Sequence, residues 1–359
     1  MQKVLTYTLL FFFIAVAQLN QTDYPQKMVI NVPVANLRAL PQAVSNDLRL
    51  PTSDRKNPLQ LTQVLLGEFI IAQEEYINQQ EQTWLRVQVP QQEFYKLPLG
   101  WHGFPGWIQK NQTIAVDTYP TSNLVVKNLL VELKDEEGYV IHTVSIGTRL
   151  NGKKINENTW QIILPDGMVA YVNDRDVYSI EQTVQESINN LRQSIVAKAL
   201  EFVGSYYSWG GRSAQCEELF GISSVDCSAL IHLSFLAHGL QLPRMSHEQF
   251  VRSHQIDDGK DLQPGDLVFF SSITKKSTRM DHVMMYLGDN QLLESTIMGE
   301  KKVRIVPFNE RMCLPNDLLH SGDIIDCTED VFAIFFGSFF KNTEMVQALR
   351  NDALKNSYA

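Results

Sequence analysis

The chain has 359 residues, of which 44% are hydrophobic and 20% charged, and its formal net charge is −9. This composition is typical of folded proteins with two or three domains and excludes a disordered or fibrous chain. The acidic balance and the lack of a long basic stretch argue against nucleic-acid binding, which needs clustered cationic side chains against phosphates.

The first residues have the pattern of a targeting segment. Lys3 precedes an apolar run over residues 4–16 that ends in Ala15-Val16-Ala17. This arrangement predicts a cleavable signal peptide at residues 1–17, with a polar leader at 18–26. The run is short for a membrane span, although an uncleaved anchor is an alternative. We therefore expect an exported protein, periplasmic or extracellular, with no stable membrane insertion after cleavage.

Cysteine usage limits the covalent framework. Four cysteines occur, at positions 216, 227, 313 and 327, and none is spaced for a structural zinc site. If Cys227 is kept as a thiol, at most one disulfide forms among the other three. Cys313 with Cys327 is the favoured pair, because both lie in one polar segment, but pairings that involve Cys216 stay open. Neither a metal nor an organic cofactor is expected.

Two β-rich regions come first in the chain. Residues 27–116 hold brief alternating apolar runs separated by Pro, Asn, Asp and Gln clusters, which is typical of a small antiparallel barrel. Residues 117–180 repeat this pattern more weakly, with Asp166-Gly167 as a hairpin turn signal. We expect one small all-β domain in each region.

The periodicity changes near residue 183 and opens a third domain, predicted over residues 181–341. Apolar residues from Val184 to Phe202 recur on one helix face, and Thr183 with Glu186 has the pattern of a capping box. A second helix is predicted to begin at Cys227. Strands are predicted at residues 267–270, 282–287, 291–295, 302–308 and 332–340, and residues 342–359 form a polar tail that is a loose helix or disordered.

Cys227 falls at the start of its helix, where free N–H groups and the positive end of the helix dipole favour a thiolate. The alternative is a buried structural cysteine. A cysteine nucleophile needs a base, and His282 is the leading candidate because it opens a predicted strand. Glu294 lies on the next strand, within cross-strand reach of His282, where it is either the group that orients the imidazole or a solvent-facing carboxylate.

Five motifs follow one another in the third domain: Tyr207-x-Trp209-Gly210-Gly211, Asp226-Cys227-Ser228, Leu242-Pro243-Arg244-x-Ser246, Pro264-Gly265-Asp266-Leu267-Val268-Phe269-Phe270 and His282-Val283. In this order they resemble the NlpC/P60 peptidases, a papain-like family, over roughly residues 183–341. Four earlier pieces resemble bacterial SH3 domains: Val34-Ala35-Asn36-Leu37-Arg38, Gln63-Val64-Leu65-Leu66-Gly67-Glu68, Trp84 and Gly106-Trp107-Ile108. The expected fold is an α+β papain-like domain preceded by two small all-β SH3-like barrels.

The resemblance implies a cysteine endopeptidase that cleaves peptidoglycan stem peptides between γ-D-glutamate and the diamino acid, diaminopimelate or lysine. Cys227 would attack, His282 would be general base and then acid, and Glu294 would orient His282. The remaining matched positions line or support the substrate groove in the family: Tyr207, Trp209, Asp226, Ser228, Arg244 and Ser246. A monomer is expected.

The chain departs from the family pattern at several positions. The family usually has His, less often Asn or Gln, where this chain has Glu294, and the segment between Gly211 and Asp226 is unusually long. In relatives of this architecture a Glu and a Tyr of the first SH3-like domain bind the free amine of the N-terminal L-Ala. Glu68 matches the first of these, so a preference for stem peptides freed from the glycan is expected, because a buried carboxylate selects an ammonium. Phe104 replaces the tyrosine, and the loss of the phenolic hydroxyl would make this selectivity looser.

Two other readings remain open from the sequence. One is a peptidoglycan-binding protein whose peptidase domain is catalytically degenerate, which the unusual Glu294 motivates. The other is an amidase or acyltransferase that uses the same Cys-His dyad on a different amide.

Overall fold

The structure is a computed structural model that describes residues 24–42, 59–214, 224–273, 279–326 and 331–358. The predicted signal peptide at residues 1–17 lies outside these ranges, as does the leader up to residue 23. Within the described ranges, none of the helices combines the length and apolar character needed to cross a membrane.

The first domain is built from one antiparallel sheet of seven strands. They are β1 (Gln26–Ile30), β2 (Val34–Arg38), β3 (Gln60–Leu65), β4 (Phe69–Ile77), β5 (Thr83–Lys96), β6 (Gly100–Gln109) and β7 (Thr113–Ala115). Their order across the sheet is β3-β2-β6-β5-β4-β1-β7. Alternate residues of these strands, such as Leu85 and Val87, are fully buried in a common core. The β prediction for this region is confirmed, and its SH3-like identity stays a prediction.

The second domain repeats the seven-stranded antiparallel design. Its strands are β8 (Leu124–Val126), β9 (Leu130–Lys134), β10 (Val140–Ser145), β11 (Arg149–Asn156), β12 (Thr159–Ile163), β13 (Val169–Asn173) and β14 (Val177–Ser179), in the order β10-β9-β13-β12-β11-β8-β14. The predicted turn at Asp166-Gly167 joins β12 to β13. Gly167 has φ +86° there, a conformation that glycine adopts readily.

In the third domain, helices pack on an antiparallel sheet whose strand order differs from the order along the chain. Its helices are α1 (Ile180–Thr183), α2 (Ile188–Leu200), α3 (Cys227–Leu236), α4 (Ser246–Arg252), α5 (Phe308–Met312) and α6 (Thr343–Tyr358). Its strands are β15 (His254–Ile256), β16 (Leu267–Ser272), β17 (His282–Gly288), β18 (Gln291–Ser295), β19 (Val303–Pro307), β20 (Ile324–Ile325) and β21 (Phe332–Ser338). The sheet order is β15-β21-β16-β17-β18-β19, and β20 pairs with β21.

The central strands of this sheet are buried on both faces, which explains their continuous apolar sequence. Leu267 and Phe269 of β16 pack into the core that contains α2 and α3, whereas Val268 and Phe270 pack into a second core on the opposite face. Successive side chains of a strand point to opposite faces, so a run of four apolar residues serves both cores. The sheet thereby gives α3 a rigid support.

The helix predicted to begin near Thr183 differs from the structure. The chain forms the short α1, then breaks, and α2 begins at Ile188 with Ser187 as its N-cap; the Ser187 Oγ accepts from Asn190 N–H at 3.2 Å. The Thr183 hydroxyl instead donates to the Ile180 carbonyl at 3.0 Å and is not available as a cap. The polar C-terminal tail is helical, as α6.

The three domains are joined by buried polar contacts close to α3. Arg149 of the second domain donates to the Gly239 carbonyl, just beyond α3, at 2.8 Å. Arg244 of the third domain donates through Nε to Thr62 Oγ1 of the first domain at 2.7 Å. Because buried hydrogen bonds are costly to leave unmade, these contacts fix the position of both β domains around α3.

Candidate active site

Cys227 is the first residue of α3, and Asp226 forms its N-cap. The extended backbone of Asp226 lets its Oδ1 accept from Ala229 N–H at 2.8 Å, which satisfies one of the free donors of the first turn. Cys227 is a free, partly exposed thiol. Its own N–H has no partner inside the helix, because the first four N–H groups of any helix lack one. The thiol therefore lies beside hydrogen-bond donors at the positive end of the helix dipole.

A buried ion pair holds this helix start in place. Arg244 donates to Asp226 through Nη1 at 3.0 Å to Oδ1 and through Nη2 at 2.7 Å to Oδ2. The Nη1 group also donates to Ser228 Oγ at 2.9 Å. Arg244 is fully buried and Asp226 and Ser228 are nearly so, with relative exposures of 0%, 7% and 3%. These three predicted groove residues thus lie together beneath the start of α3, where they position Cys227.

His282 and Glu294 lie on the neighbouring strands β17 and β18 and are hydrogen-bonded. His282 Nε2 donates to Glu294 Oε2 at 2.9 Å. The register pairs Met285 with Leu293, so Glu294 is a diagonal neighbour of His282 on the same face. Glu294 is completely buried, whereas the His282 side chain keeps 17% exposure. The cross-strand reach expected from the sequence is therefore present in the structure.

The surroundings of His282 favour the imidazolium. Burial lowers the pKa of His282, but hydrogen bonds with the Cys227 and Glu294 side chains and the negative charges of both outweigh burial and raise the pKa to about 9. Since Nε2 is bound to Glu294, the Nδ1 nitrogen is the one left for the thiol. Burial raises the pKa of Glu294, yet the hydrogen bond and charge of His282, the charge of Arg311 and the hydrogen bond from Arg304 lower it to about 2.

Two arginines that sequence reasoning missed also bind Glu294. Arg304 donates to Oε1 through Nε at 3.0 Å and through Nη2 at 2.7 Å, and Arg311 Nε lies 3.4 Å from Oε2. Arg304 is directly opposite Glu294 in the β18–β19 register. The predicted strand at residues 302–308 contains Arg304, so pairing it with the strand at residues 291–295 was the available signal. Arg311 lies on α5, a short helix that is not among the elements predicted from the sequence.

The loop over residues 206–211, which we call the aromatic loop, contributes Tyr207 to the neighbourhood of the thiol. Its backbone pairs with Val225, just before Asp226, and its N–H donates to the Lys301 carbonyl at 2.7 Å. Burial and then the charge of Cys227 raise the pKa of Tyr207 far above its usual range, so the phenol stays protonated. Trp209 is half-buried in the same loop.

Ser246 lies apart from this loop, at the start of α4. Its hydroxyl donates to the Met280 carbonyl at 2.9 Å, two residues before His282. This contact supports the chain that enters β17.

Glu68 and Phe104, the two residues at the predicted amine site, are both nearly buried. Both carboxylate oxygens of Glu68 are bound by Arg212, at 2.6 and 2.9 Å, and Oε2 also accepts from Leu65 N–H at 2.8 Å. Glu68 is only 4% exposed, so its charge is already balanced by Arg212 across the domain boundary. Phe104 is 6% exposed and packs against Phe94 in the first core.

The described residues contain no group of three or more His, Cys, Asp and Glu side chains arranged to hold a metal ion. Cys313 is disulfide-bonded. Cys216 and Cys327 lie outside the described residues, so the predicted Cys313–Cys327 pairing stays a prediction.

The chain is similar to known proteins over part of its length. The sequence model of the NlpC/P60 family matches residues 204–321. The chain is 26% identical to a gamma-D-glutamyl-L-lysine dipeptidyl-peptidase of Bacillus subtilis, over 69% of this chain and 76% of that protein. It is 29% identical to the bifunctional muramidase/DL-endopeptidase CwlT of the same organism, over 37% of this chain and 37% of that protein.

A solved structure shares the fold across most of the chain. It is the crystal structure of an NlpC/P60 family protein from Bacillus cereus, with a TM-score of 0.60 and 24% identity. The superposition covers 79% of this chain and 94% of that one. The likeness therefore includes the β-rich region that precedes the matched domain as well as the domain itself.

Proposed function

We propose that this chain, whose residues 204–321 form an NlpC/P60 family domain, is a cysteine peptidase that hydrolyses peptidoglycan stem peptides. One observation carries the proposal: a free thiol at the start of α3 shares a histidine with a buried carboxylate. His282 is hydrogen-bonded to the side chains of both Cys227 and Glu294. The nucleophile, the base and the orienting group are thereby linked by hydrogen bonds, as covalent catalysis requires.

In the first half of the reaction the Cys227 thiolate attacks the scissile carbonyl carbon. The developing oxyanion accepts from the Cys227 N–H at the start of α3, where the helix dipole adds to the stabilisation. The His282 imidazolium then gives its proton to the leaving amine, the C–N bond breaks, and a thioester to Cys227 remains. Glu294 stabilises the imidazolium before this transfer and keeps the ring in the required tautomer.

In the second half water replaces the amine. His282, now neutral, takes a proton from the water, whose oxygen attacks the thioester carbonyl. The C–S bond breaks, the acyl part leaves as a carboxylic acid, and the Cys227 thiolate and the imidazolium are restored. No redox partner is needed, because each step moves only protons and an acyl group.

The bond that we propose is the amide between γ-D-glutamate and the following diamino acid, diaminopimelate or lysine. The names of the relatives support this choice: one is a gamma-D-glutamyl-L-lysine dipeptidyl-peptidase and another a DL-endopeptidase. We further propose that the protein acts outside the cytoplasm, in line with such a substrate and with the predicted signal peptide. The buried Glu68–Arg212 pair gives no support to selection of a free N-terminal amine, so this preference is not part of the proposal.

The proposal is tested with defined stem peptides, both free and glycan-linked, and product identification by mass spectrometry. We expect the wild-type protein to release the peptide that begins with the diamino acid and to leave a D-glutamate whose γ-carboxyl group is free. Cys227→Ala should release nothing. Ser234→Ala is a matched control, since this buried α3 residue only donates to the Leu230 carbonyl at 2.7 Å. Intact peptide after incubation with wild type would favour the degenerate, binding-only reading, and cleavage of a different amide would favour the amidase reading.

A further inference from the structure

The carboxylate of Glu294 is surrounded by more positive charge than one histidine supplies. It is completely buried and accepts from Arg304 twice at Oε1, at 3.0 and 2.7 Å. Its other oxygen, Oε2, is shared by His282 at 2.9 Å and Arg311 at 3.4 Å. A buried carboxylate is strongly unfavourable unless it is paired and hydrogen-bonded, so these contacts are what allow a Glu at this position to stay ionised.

The fold fixes both arginines independently of His282. Arg304 is placed by the ladder that pairs β18 with β19, where it is the residue opposite Glu294. Arg311 is placed by α5, whose residues Phe308 and Met312 are fully buried. The Arg311 guanidinium also lies over the Phe270 ring, 4.9 Å from its centre. Two different elements therefore bring a cation to the same carboxylate.

We propose that Arg304 and Arg311 are positioning residues that act through Glu294: they hold its carboxylate so that Oε2 faces His282, and they offset part of its charge. The inference rests on the proposed function, because it assigns a role in that reaction. Arg304 occupies Oε1 with two donors of one planar group, which restricts rotation of the carboxylate. Oε2 is thereby left for the imidazole.

The charge offset matters for proton transfer. A carboxylate that faced His282 without other cations would hold the imidazolium proton more tightly and oppose its transfer to the leaving amine. Arg304 at Oε1 and Arg311 beside Oε2 weaken that hold while they keep the hydrogen bond in place. Glu294 therefore orients the imidazole through its hydrogen bond. Its charge, partly offset by the two arginines, still stabilises the imidazolium.

The other charged and titratable groups around His282 can be named element by element. Cys227 lies on α3, and Tyr207 lies in the aromatic loop before it. Asp281 precedes His282 and accepts from Ser272 N–H at 3.0 Å. The β16 neighbour is Phe270, which is uncharged and lies 6.0 Å from the His282 ring. Arg304 and Arg311 are therefore the cations that bind Glu294 in the described part of the chain.

The first test needs no substrate and so separates this inference from the proposed function. The His282 imidazole is titrated by NMR in histidine-labelled protein, with its signal assigned from His282→Ala. We expect Arg304→Gln and Arg311→Gln each to raise the pKa of His282 by about 0.5 to 1 unit, because a removed cation favours the protonated form. Glu294→Gln should lower it. An unchanged or lowered pKa in both arginine variants overturns the proposal.

The control for this titration is Lys302→Gln, which removes the same charge from the neighbourhood of β19. Lys302 binds Glu300 at 3.3 Å and has no contact with Glu294. We expect it to leave the titration unchanged, and a shift equal to that of Arg304→Gln would show a general charge effect and overturn the assignment. Arg304→Lys keeps the charge and should keep the wild-type pKa.

The second test is a double-mutant cycle. We expect Arg304→Gln to lower kcat about tenfold with little change in KM, because a misplaced catalytic group affects the reaction more than binding. In the Glu294→Gln background the same change should have no further effect, since its partner is absent. Losses that simply add would mean that Arg304 does not act through Glu294 and would overturn the proposal. If the protein cleaves no stem peptide, the rate of Cys227 alkylation replaces kcat in the cycle.

Discussion

Two carboxylates on opposite sides of the candidate site are held by arginine, and they differ in what surrounds the pair. Asp226 and Arg244 are both buried, and the Arg244 guanidinium also donates to Thr62 of the first domain. Glu294 is buried as well, but its partners Arg304 and His282 keep side-chain exposures of 37% and 17%.

The two carboxylates therefore have different roles: one determines the position of Cys227, and the other determines the protonation of His282. The Asp226 pair caps α3 and ties it to a second domain, so its geometry determines where Cys227 lies. The Glu294 cluster lies at the edge of a sheet and contacts the imidazole directly, so its charge determines how His282 holds a proton. We therefore expect changes in the first pair to affect the stability of the fold, and changes in the second to affect pH dependence and rate.

The largest expected effect is on stability. Arg244→Gln should lower the free energy of unfolding by about 3 to 5 kcal/mol, because it leaves the Asp226 carboxylate buried without its ion pair. Urea denaturation followed by circular dichroism measures this change. Arg304→Gln is the matched control, and we expect a loss of about 1 kcal/mol because the buried Glu294 carboxylate keeps His282 and Arg311 as partners. Equal losses in the two variants would remove the distinction between the pairs.

The second expected effect is on the rate and its pH profile. Glu294→Gln should lower kcat/KM for stem peptide by about 10- to 100-fold, since the imidazolium loses its charged partner. The alkaline limb of the profile should move from near pH 9 towards the ordinary range of histidine. Glu300→Gln removes a carboxylate whose side chain is 80% exposed and should leave the profile unchanged. Wild-type kcat/KM in Glu294→Gln would exclude a role of the Glu294 charge, and wild-type kcat/KM in Glu294→Ala would exclude its orienting role.

The third expected effect is a smaller change of stability with pH. The pKa of His282 is raised from 6.5 to about 9 in the folded state, so the folded state binds this proton more tightly than the unfolded state does. The stabilisation is fully present below about pH 6.5 and is lost as the pH rises through 9. We expect a loss on the order of 2 kcal/mol across that range in thermal or urea unfolding. The slope should disappear in His282→Gln, and its persistence there would assign the effect to another group.

Much of the fold follows from local patterns in the sequence. The start of α3 at Cys227 and the β16, β17 and β18 strands were predictable, because a cap, a helical period and continuous apolar runs each lie within a few residues. The boundary at Thr183 was mispredicted, since two nearby residues, Thr183 and Ser187, both have side chains that can cap a helix. In the structure the Thr183 hydroxyl donates to Ile180 and Ser187 caps α2.

The candidate site was predictable only where its parts lie close in sequence or on adjacent strands. His282 and Glu294 belong to one hairpin, so their contact follows from strand pairing. The environment of Glu68 did not follow, because Arg212 comes from another domain, 144 positions further along the chain. Arg311 was missed for a similar reason. The position of the short α5 depends on the buried residues Phe308 and Met312, and no local sequence pattern predicts it.

The acyl-enzyme is the most direct test of the central claim that Cys227, His282 and Glu294 act as one hydrolytic unit. Stem peptide is mixed with wild-type protein, the reaction is quenched in acid within the first turnover, and the intact protein mass is measured. We expect a mass increase equal to the acyl part of the substrate, located on the peptide that contains Cys227 and absent from Cys227→Ala. Cleavage of the same bond by Cys227→Ala at the wild-type rate would contradict the account.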